Sequence, residues 1–185
     1  MFQRLKDEFF PPRDEFDRRF GVSTSGVSSL PWTRLLRGKR RETARYQAVD
    51  PSFFEEAVAD APRWTFVDLG CGRGRALILA HCAGFKKLIG VEFSAALCRS
   101  ARRNLKILEI AGEIVNGDAG RYKLPDEPTV VYLYNPFGEV IMRQVLSNFG
   151  EWPRMVVYVN PVHTSLFDSL RLVRAGHSFK VFSNS

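Results

Sequence analysis

Asp68 is followed by glycines at alternate positions, Gly70, Gly72 and Gly74, inside the run Phe66-Val67-Asp68-Leu69-Gly70-Cys71-Gly72-Arg73-Gly74-Arg75. Glycine tolerates positive φ and has no Cβ, so main chain here can turn sharply and touch a ligand. An apolar pair precedes the turn, and the helix-forming Ala76-Leu77-Ile78-Leu79-Ala80 follows it. Strand, glycine turn and helix in that order form a cradle. The helix start adds free N–H groups and the positive end of its dipole. Cys71 sits within the cradle and reads as a small filler.

Further polar groups stand where other strands are expected to end. Glu92 follows Lys87–Val91. A carboxylate there can accept both hydroxyls of a ribose, a bidentate arrangement that neutral groups match poorly. Its neighbour is Phe93 rather than arginine, which argues against a 2′-phosphate. Asp118-Ala119 follows Glu113-Ile114-Val115, and an acid there can accept the exocyclic amine of adenine. Tyr134-Asn135-Pro136-Phe137 ends a fourth strand. Proline makes that turn rigid, so the Asn135 carbonyl can aim at a substrate N–H while Tyr134 and Phe137 stack on a flat or cationic group. Asn160-Pro161 repeats the device and reads as structural. Pyrophosphate binding is disfavoured, because the third slot of G-x-G-x-x-G is Arg75. An NAD- or nucleotide-binding Rossmann enzyme stays open as a rival reading.

The elements that must hold these groups alternate. Strands are expected over 66–67, 87–91, 113–115, 129–134, 155–159 and 178–182. Helices are expected over 75–82, 95–108, 140–149 and 164–173, with Ser94 capping the second. This predicts an α/β fold: a doubly wound, mostly parallel sheet with helices on both faces. Ligands of such sheets sit at the carboxyl ends of the strands.

With 185 residues, one core is the simplest organisation. No apolar run is long enough to span a bilayer, and the start has no apolar signal core. Three cysteines without zinc-type spacing fit a reducing cytoplasm. A net charge of +7 favours acidic partners. Residues 1–60 read as a basic extension with helices, and 61–185 as the ligand-binding domain. Phe9-Phe10-Pro11-Pro12 breaks any early helix, and 21–29 reads as loop. Arg34, Arg37, Lys39, Arg40, Arg41 and Arg45 stand with Glu42 as their single acid, as a solvated face or as a docking arm for an acidic polymer. Pro51 opens a helix over 52–58. A non-catalytic nucleic-acid-binding module on the same fold is the second rival reading.

Asp68 with Gly70, Gly72 and Gly74 resembles the first motif of class I S-adenosylmethionine (SAM) dependent methyltransferases, Glu92 their ribose-binding acid and Asp118 their adenine-side acid. Asn135-Pro136-Phe137 resembles the fourth motif of the amino-directed members, with one proline where they have two. Gly90-Val91-Glu92-Phe93-Ser94 is similar to the non-SET protein lysine methyltransferases. The resemblance implies SAM as cofactor, held by Asp68, Gly70, Cys71, Gly72, Gly74, Glu92, Phe93, Asp118, Ala119 and Asn135. It implies Asn135, Pro136, Phe137 and Tyr134 as the catalytic set, Tyr46 as part of a cover, and no metal. Transfer to a nitrogen of a protein, nucleic acid or small molecule is expected. The family ends on an antiparallel hairpin, and the six strands read here leave the last strand missing.

Overall fold

The computed structural model describes residues 13–25, 48–134 and 137–185. The early proline break, the basic run Arg34–Arg45, Tyr46, Asn135, Pro136 and part of the 21–29 loop lie outside the described residues.

Seven strands form one sheet: β1 Thr65–Leu69, β2 Leu88–Glu92, β3 Glu113–Asn116, β4 Thr129–Tyr134, β5 Arg154–Val159, β6 Arg171–Ala175 and β7 Phe179–Ser183. Their order is β3-β2-β1-β4-β5-β7-β6. The first five run parallel, and β7 lies antiparallel to both β5 and β6. Chain direction across the sheet reverses between β1 and β4, so a crevice opens beyond their carboxyl ends. β1 and β4 are apolar along most of their length because both faces are covered.

The helices among the described residues are α1 Glu15–Phe20, α2 Pro51–Val58, α3 Arg75–Cys82, α4 Ala95–Ile107 and α5 Glu139–Ser147. Phe16, Phe54, Leu77, Ile78, Cys98, Ala101 and Leu105 pack with Phe66 and Tyr132 on one face. Met142, Val145 and Phe149 pack with Val67, Val131 and Phe167 on the other. Local chemistry starts the helices where the sequence suggests. Ser94 accepts Leu97 N at 3.4 Å, and Asp50 caps α2 ahead of Pro51 at its first position.

The chain's last third corrects two expectations. Residues 164–173 are not one helix: a 3-10 turn covers Thr164–Phe167, and β6 begins at Arg171. The strand expected to be missing is therefore present, and the sheet closes on the β6–β7 hairpin. Physically, β6 is an edge strand with mostly exposed side chains and an irregular register at Leu172/Arg174. It consequently lacks the alternation that marks a half-buried strand. The Phe179 ring packs over Gly176, where any Cβ would meet it at 2.1 Å.

Candidate functional site

The glycine turn is built from backbone that only glycine adopts readily. Gly70, Gly72 and Gly74 have φ of 89°, 54° and 85°. Gly70 N and Cys71 N both donate to Val91 O, at 2.8 and 3.1 Å, and Gly74 N donates to Cys71 O at 2.8 Å. The turn thus leans on the end of β2. A further glycine, Gly90 in β2, makes this approach possible: a Cβ there would meet Cys71 Sγ at 2.7 Å.

Glu92 ties three strand ends together. Its Oε2 accepts Gly72 N at 3.1 Å, and its Oε1 accepts Ser94 N at 2.8 Å. Its main-chain oxygen accepts Gly117 N and Asn116 Nδ2 at 3.1 and 3.0 Å, which joins β3 to β2. Burial pushes the Glu92 carboxyl up against the three backbone N–H groups that hold it down. Phe93, beside it, is 55 % exposed.

Asp68 is buried at the end of β1. Burial and the charge of Glu92 push its carboxyl up to about 8. Tyr132 on β4 is its register partner, and the buried Tyr132 hydroxyl has no hydrogen-bond partner among the described residues. A buried polar atom left without a partner calls for a ligand or water. Cys71 is buried too, and burial with the charges of Asp68 and Glu92 raises its thiol well above the ordinary value. It is a packed filler with no activated sulfur.

Asp118 accepts Gly120 N at 3.0 Å, caps the 3-10 turn Ala119–Arg121 and lies 4.0 Å from Arg121. Ala119 is buried beneath it. Tyr134 and Phe137 are half-buried on either side of Asn135-Pro136. Burial raises the Tyr134 phenol, and a side-chain hydrogen bond with Asn160 opposes the rise. The structure thus brings Asp68, the glycines, Cys71 and Glu92 into one cluster, and holds Asp118 one strand further along.

Sequence reasoning missed the support behind the turn. Arg75, at the first position of α3, donates to Thr24 Oγ1 at 2.7 Å, Asp14 Oδ2 at 2.6 Å and Val49 O at 3.4 Å. Asn104 on α4 donates to Arg73 O at 3.0 Å and exchanges hydrogen bonds with Ser23 N and O at 3.1 Å. The segment 13–25 is thereby pinned behind the glycines. Arg75 stands in the slot where dinucleotide folds carry glycine, and that departure was the one available signal.

A reversed sheet, a glycine turn and carboxylates at successive strand ends define the class I SAM-dependent methyltransferase fold. Residues 66–155 match a family described as a methyltransferase domain. Among solved structures, the yhhF protein of Escherichia coli superposes with a TM-score of 0.60 at 15% identity, over 76% of this chain and 91% of that one. The PH0226 protein of Pyrococcus horikoshii OT3 gives 0.55 at 14%, over 93% and 98%. A SAM-dependent methyltransferase of Aquifex aeolicus gives 0.50 at 15%, over 74% and 98%. At these identities the likeness is one of fold. No curated relative matches the sequence. Residues 66–155 thus carry the likeness to a methyltransferase domain, on a chain that has the class I methyltransferase fold. No helix among the described residues is long and apolar enough to cross a membrane.

Proposed function

We infer that the protein moves the methyl group of SAM to a nitrogen atom of its acceptor beyond the carboxyl end of β4. The observation that carries this reading is the meeting of two carboxylates, buried Asp68 and half-buried Glu92, at a positive-φ glycine turn next to β4, which ends at Tyr134. The donor set suits SAM. Bare backbone at Gly70, Gly72 and Gly74 gives room, and Cys71 fills the space behind. Glu92 keeps lone pairs for ribose hydroxyls, Asp118 and Ala119 serve the adenine edge, and exposed Phe93 serves its face. Asp68 answers the charged amino-acid end. Bound SAM supplies a methyl on a sulfonium: the acceptor nitrogen's lone pair forms the new N–C bond, the S–C pair leaves with sulfur, and the nitrogen's proton goes to solvent.

The chain's own task is alignment and exclusion of water, and orientation of this kind supplies up to about 7–11 kcal/mol. In this reading Asn135 orients the nucleophile, accepting from the acceptor N–H through its side-chain and main-chain carbonyls. Tyr134 and Phe137 line the acceptor pocket. In this reading residues 61–185 form the SAM-binding domain, and the extension before it braces the domain. Three free cysteines accord with a cytoplasmic location. The similarity of Gly90–Ser94 to the non-SET lysine methyltransferases keeps a protein amine among the possible acceptors.

The raised Asp68 carboxyl predicts a pH dependence. Its folded value lies above its unfolded one, so the folded state holds the extra proton. The stability tied to it is complete below about pH 4 and is lost as pH rises through about 8. Cationic SAM favours the ionised form, so binding expels the proton. SAM affinity is therefore expected to climb from pH 6 to 8, by at most about tenfold per unit, and then level. Calorimetry in buffers of different ionisation enthalpy reads the released proton. Asp68→Asn abolishes both slope and release; a wild-type affinity flat across that range refutes the role.

Asn135→Ala is expected to leave the SAM dissociation constant within about twofold while turnover falls by 10² or more, the order of a lost transition-state hydrogen bond. Loss of SAM binding and turnover together shows a structural role instead. Titration with SAM, its demethylated product and NAD tests the rival enzyme: NAD binding without SAM binding overturns the assignment.

A further inference from the structure

Helix α4 has the sequence Ala-Ala-Leu-Cys-Arg-Ser-Ala-Arg-Arg-Asn-Leu-Lys-Ile, with four basic residues and no acid. Arg99, Arg102, Arg103 and Lys106 fall at i, i+3, i+4 and i+7, so they share one face, and all four are exposed. None is in an ion pair among the described residues. Arg102 alone is tethered, donating to Ile114 O at 2.5 Å. Elsewhere on the described surface several exposed cations find carboxylates, Lys87 with Glu127, Lys123 with Asp126 and Arg143 with Glu139, and those that do not, such as Lys86 and Arg171, are not gathered on one helix face. The stripe is thus a concentration of uncompensated positive charge on a rigid element, within a chain of net charge +7.

Its position matters as much as its charge. Ser94, which caps α4, donates to Glu92 Oε1 at 2.8 Å, so the helix starts at the candidate site. Arg99 lies about 7 Å along the axis from that cap, and Lys106 about 10 Å further. A strand with about one phosphate per 3.4 Å of axis presents several charges over that span. Leu97, Ala101 and Leu105 of α4 are buried, and Ile107, 49 % exposed, is the one large apolar side chain that the helix leaves at the surface, too small a patch to insert the stripe into a bilayer.

We propose that the exposed basic face of α4 docks the phosphate backbone of a nucleic acid and delivers a base nitrogen to the adjoining site, making nucleic acid the acceptor class. This rests on the methyl-transfer reading above. Phosphate contacts of this kind position a strand without reading its sequence.

The test is fluorescence anisotropy with a short labelled mixed-sequence single-stranded RNA across about 50–200 mM salt. The variant is Arg99→Gln/Arg103→Gln/Lys106→Gln, which spares Arg102 and its bond to β3. Each lost phosphate contact removes about 0.7 from the logarithmic salt slope, so the slope is expected to flatten by about 2, with affinity down by tenfold or more. Calorimetry with SAM on the same variant should stay within about twofold of wild type, since none of the three touches the cluster. An unchanged slope overturns the proposal. So does a wild type that fails to bind RNA, or one that binds phosphatidylserine vesicles with RNA unable to compete. Failure of wild-type SAM binding is a separate result: it removes the transfer reading and leaves the RNA slopes to judge the surface.

Discussion

Glu92→Gln is expected to weaken SAM binding by roughly a hundredfold while leaving the protein folded. Each carboxylate oxygen accepts a backbone hydrogen bond, Oε2 from Gly72 N on the glycine turn and Oε1 from Ser94 N at the start of α4. An amide can accept from only one of them, and its NH₂ then faces the other N–H. Hydrogen bonds to charged groups contribute about 1.5–3 kcal/mol each. Losing one, with the ribose contacts the charge was holding, gives about 3 kcal/mol, which is roughly a factor of one hundred. Stability should move far less. Burial raises the Glu92 carboxyl, so the folded chain bears a cost for that charge, and the neutral amide relieves it. The sign is that of a raised group, whose ionisation weakens the fold as pH climbs. Calorimetry for SAM and thermal unfolding on the same sample separate the two effects. Binding within threefold of wild type removes Glu92 from the cofactor site. A collapse in melting temperature shows that its role is structural.

Much of this site was legible because its parts are local. Asp68, the three glycines and Arg75 are contiguous, and their alternation encodes the strand, turn and helix that the structure contains. Glu92 and Asp118 were found by asking what each strand ends in, and strand order needs only the right-handed crossover to bring them near. Elements with buried faces on both sides, such as β4, were read at their true bounds. The failures are equally physical. β6 is an edge strand whose exposure hides its pattern, so its residues read as helix. Nothing in the sequence singles out Tyr132, whose stranded hydroxyl is visible only once Asp68 lies beside it in register. Asp14, Asp17, Ser23 and Thr24 reach Arg75 and Asn104 across more than fifty residues of chain, with no spacing rule to announce the contact.

That long-range contact carries the second large prediction. Asp17 is fully buried and accepts from Thr24 N and Oγ1 and from Ser25 N and Oγ, all between 2.6 and 2.9 Å. Burial alone would raise its carboxyl, but the hydroxyls and amides of Ser25 and Thr24 outweigh that and hold it below the usual value. Arg75 Nη2 lies 3.4 Å from it, and the guanidinium stacks on the Phe16 ring at 4.6 Å. Arg75→Met removes one partner of a buried pair, a change that costs about 3–5 kcal/mol. In a chain of this size that lowers the melting temperature by about 6–20 °C. Asp17→Asn should cost a similar amount, because its NH₂ meets donors. The depressed carboxyl also fixes the sign in acid: its stabilisation is present above about pH 4 and is lost as pH falls through the folded value, a loss absent from Asp17→Asn. Since Gly74 and Arg75 begin α3, releasing the clamp should also raise the SAM dissociation constant, with Arg75→Lys intermediate because it keeps the charge without the fork. The double variant is the deciding measurement. If the network acts as a unit, Asp17→Asn/Arg75→Met is destabilised by clearly less than the sum of the single changes. Simple additivity in urea unfolding, or single variants that melt with wild type, shows that the segment 13–25 only rests against the domain and does not brace its glycine turn.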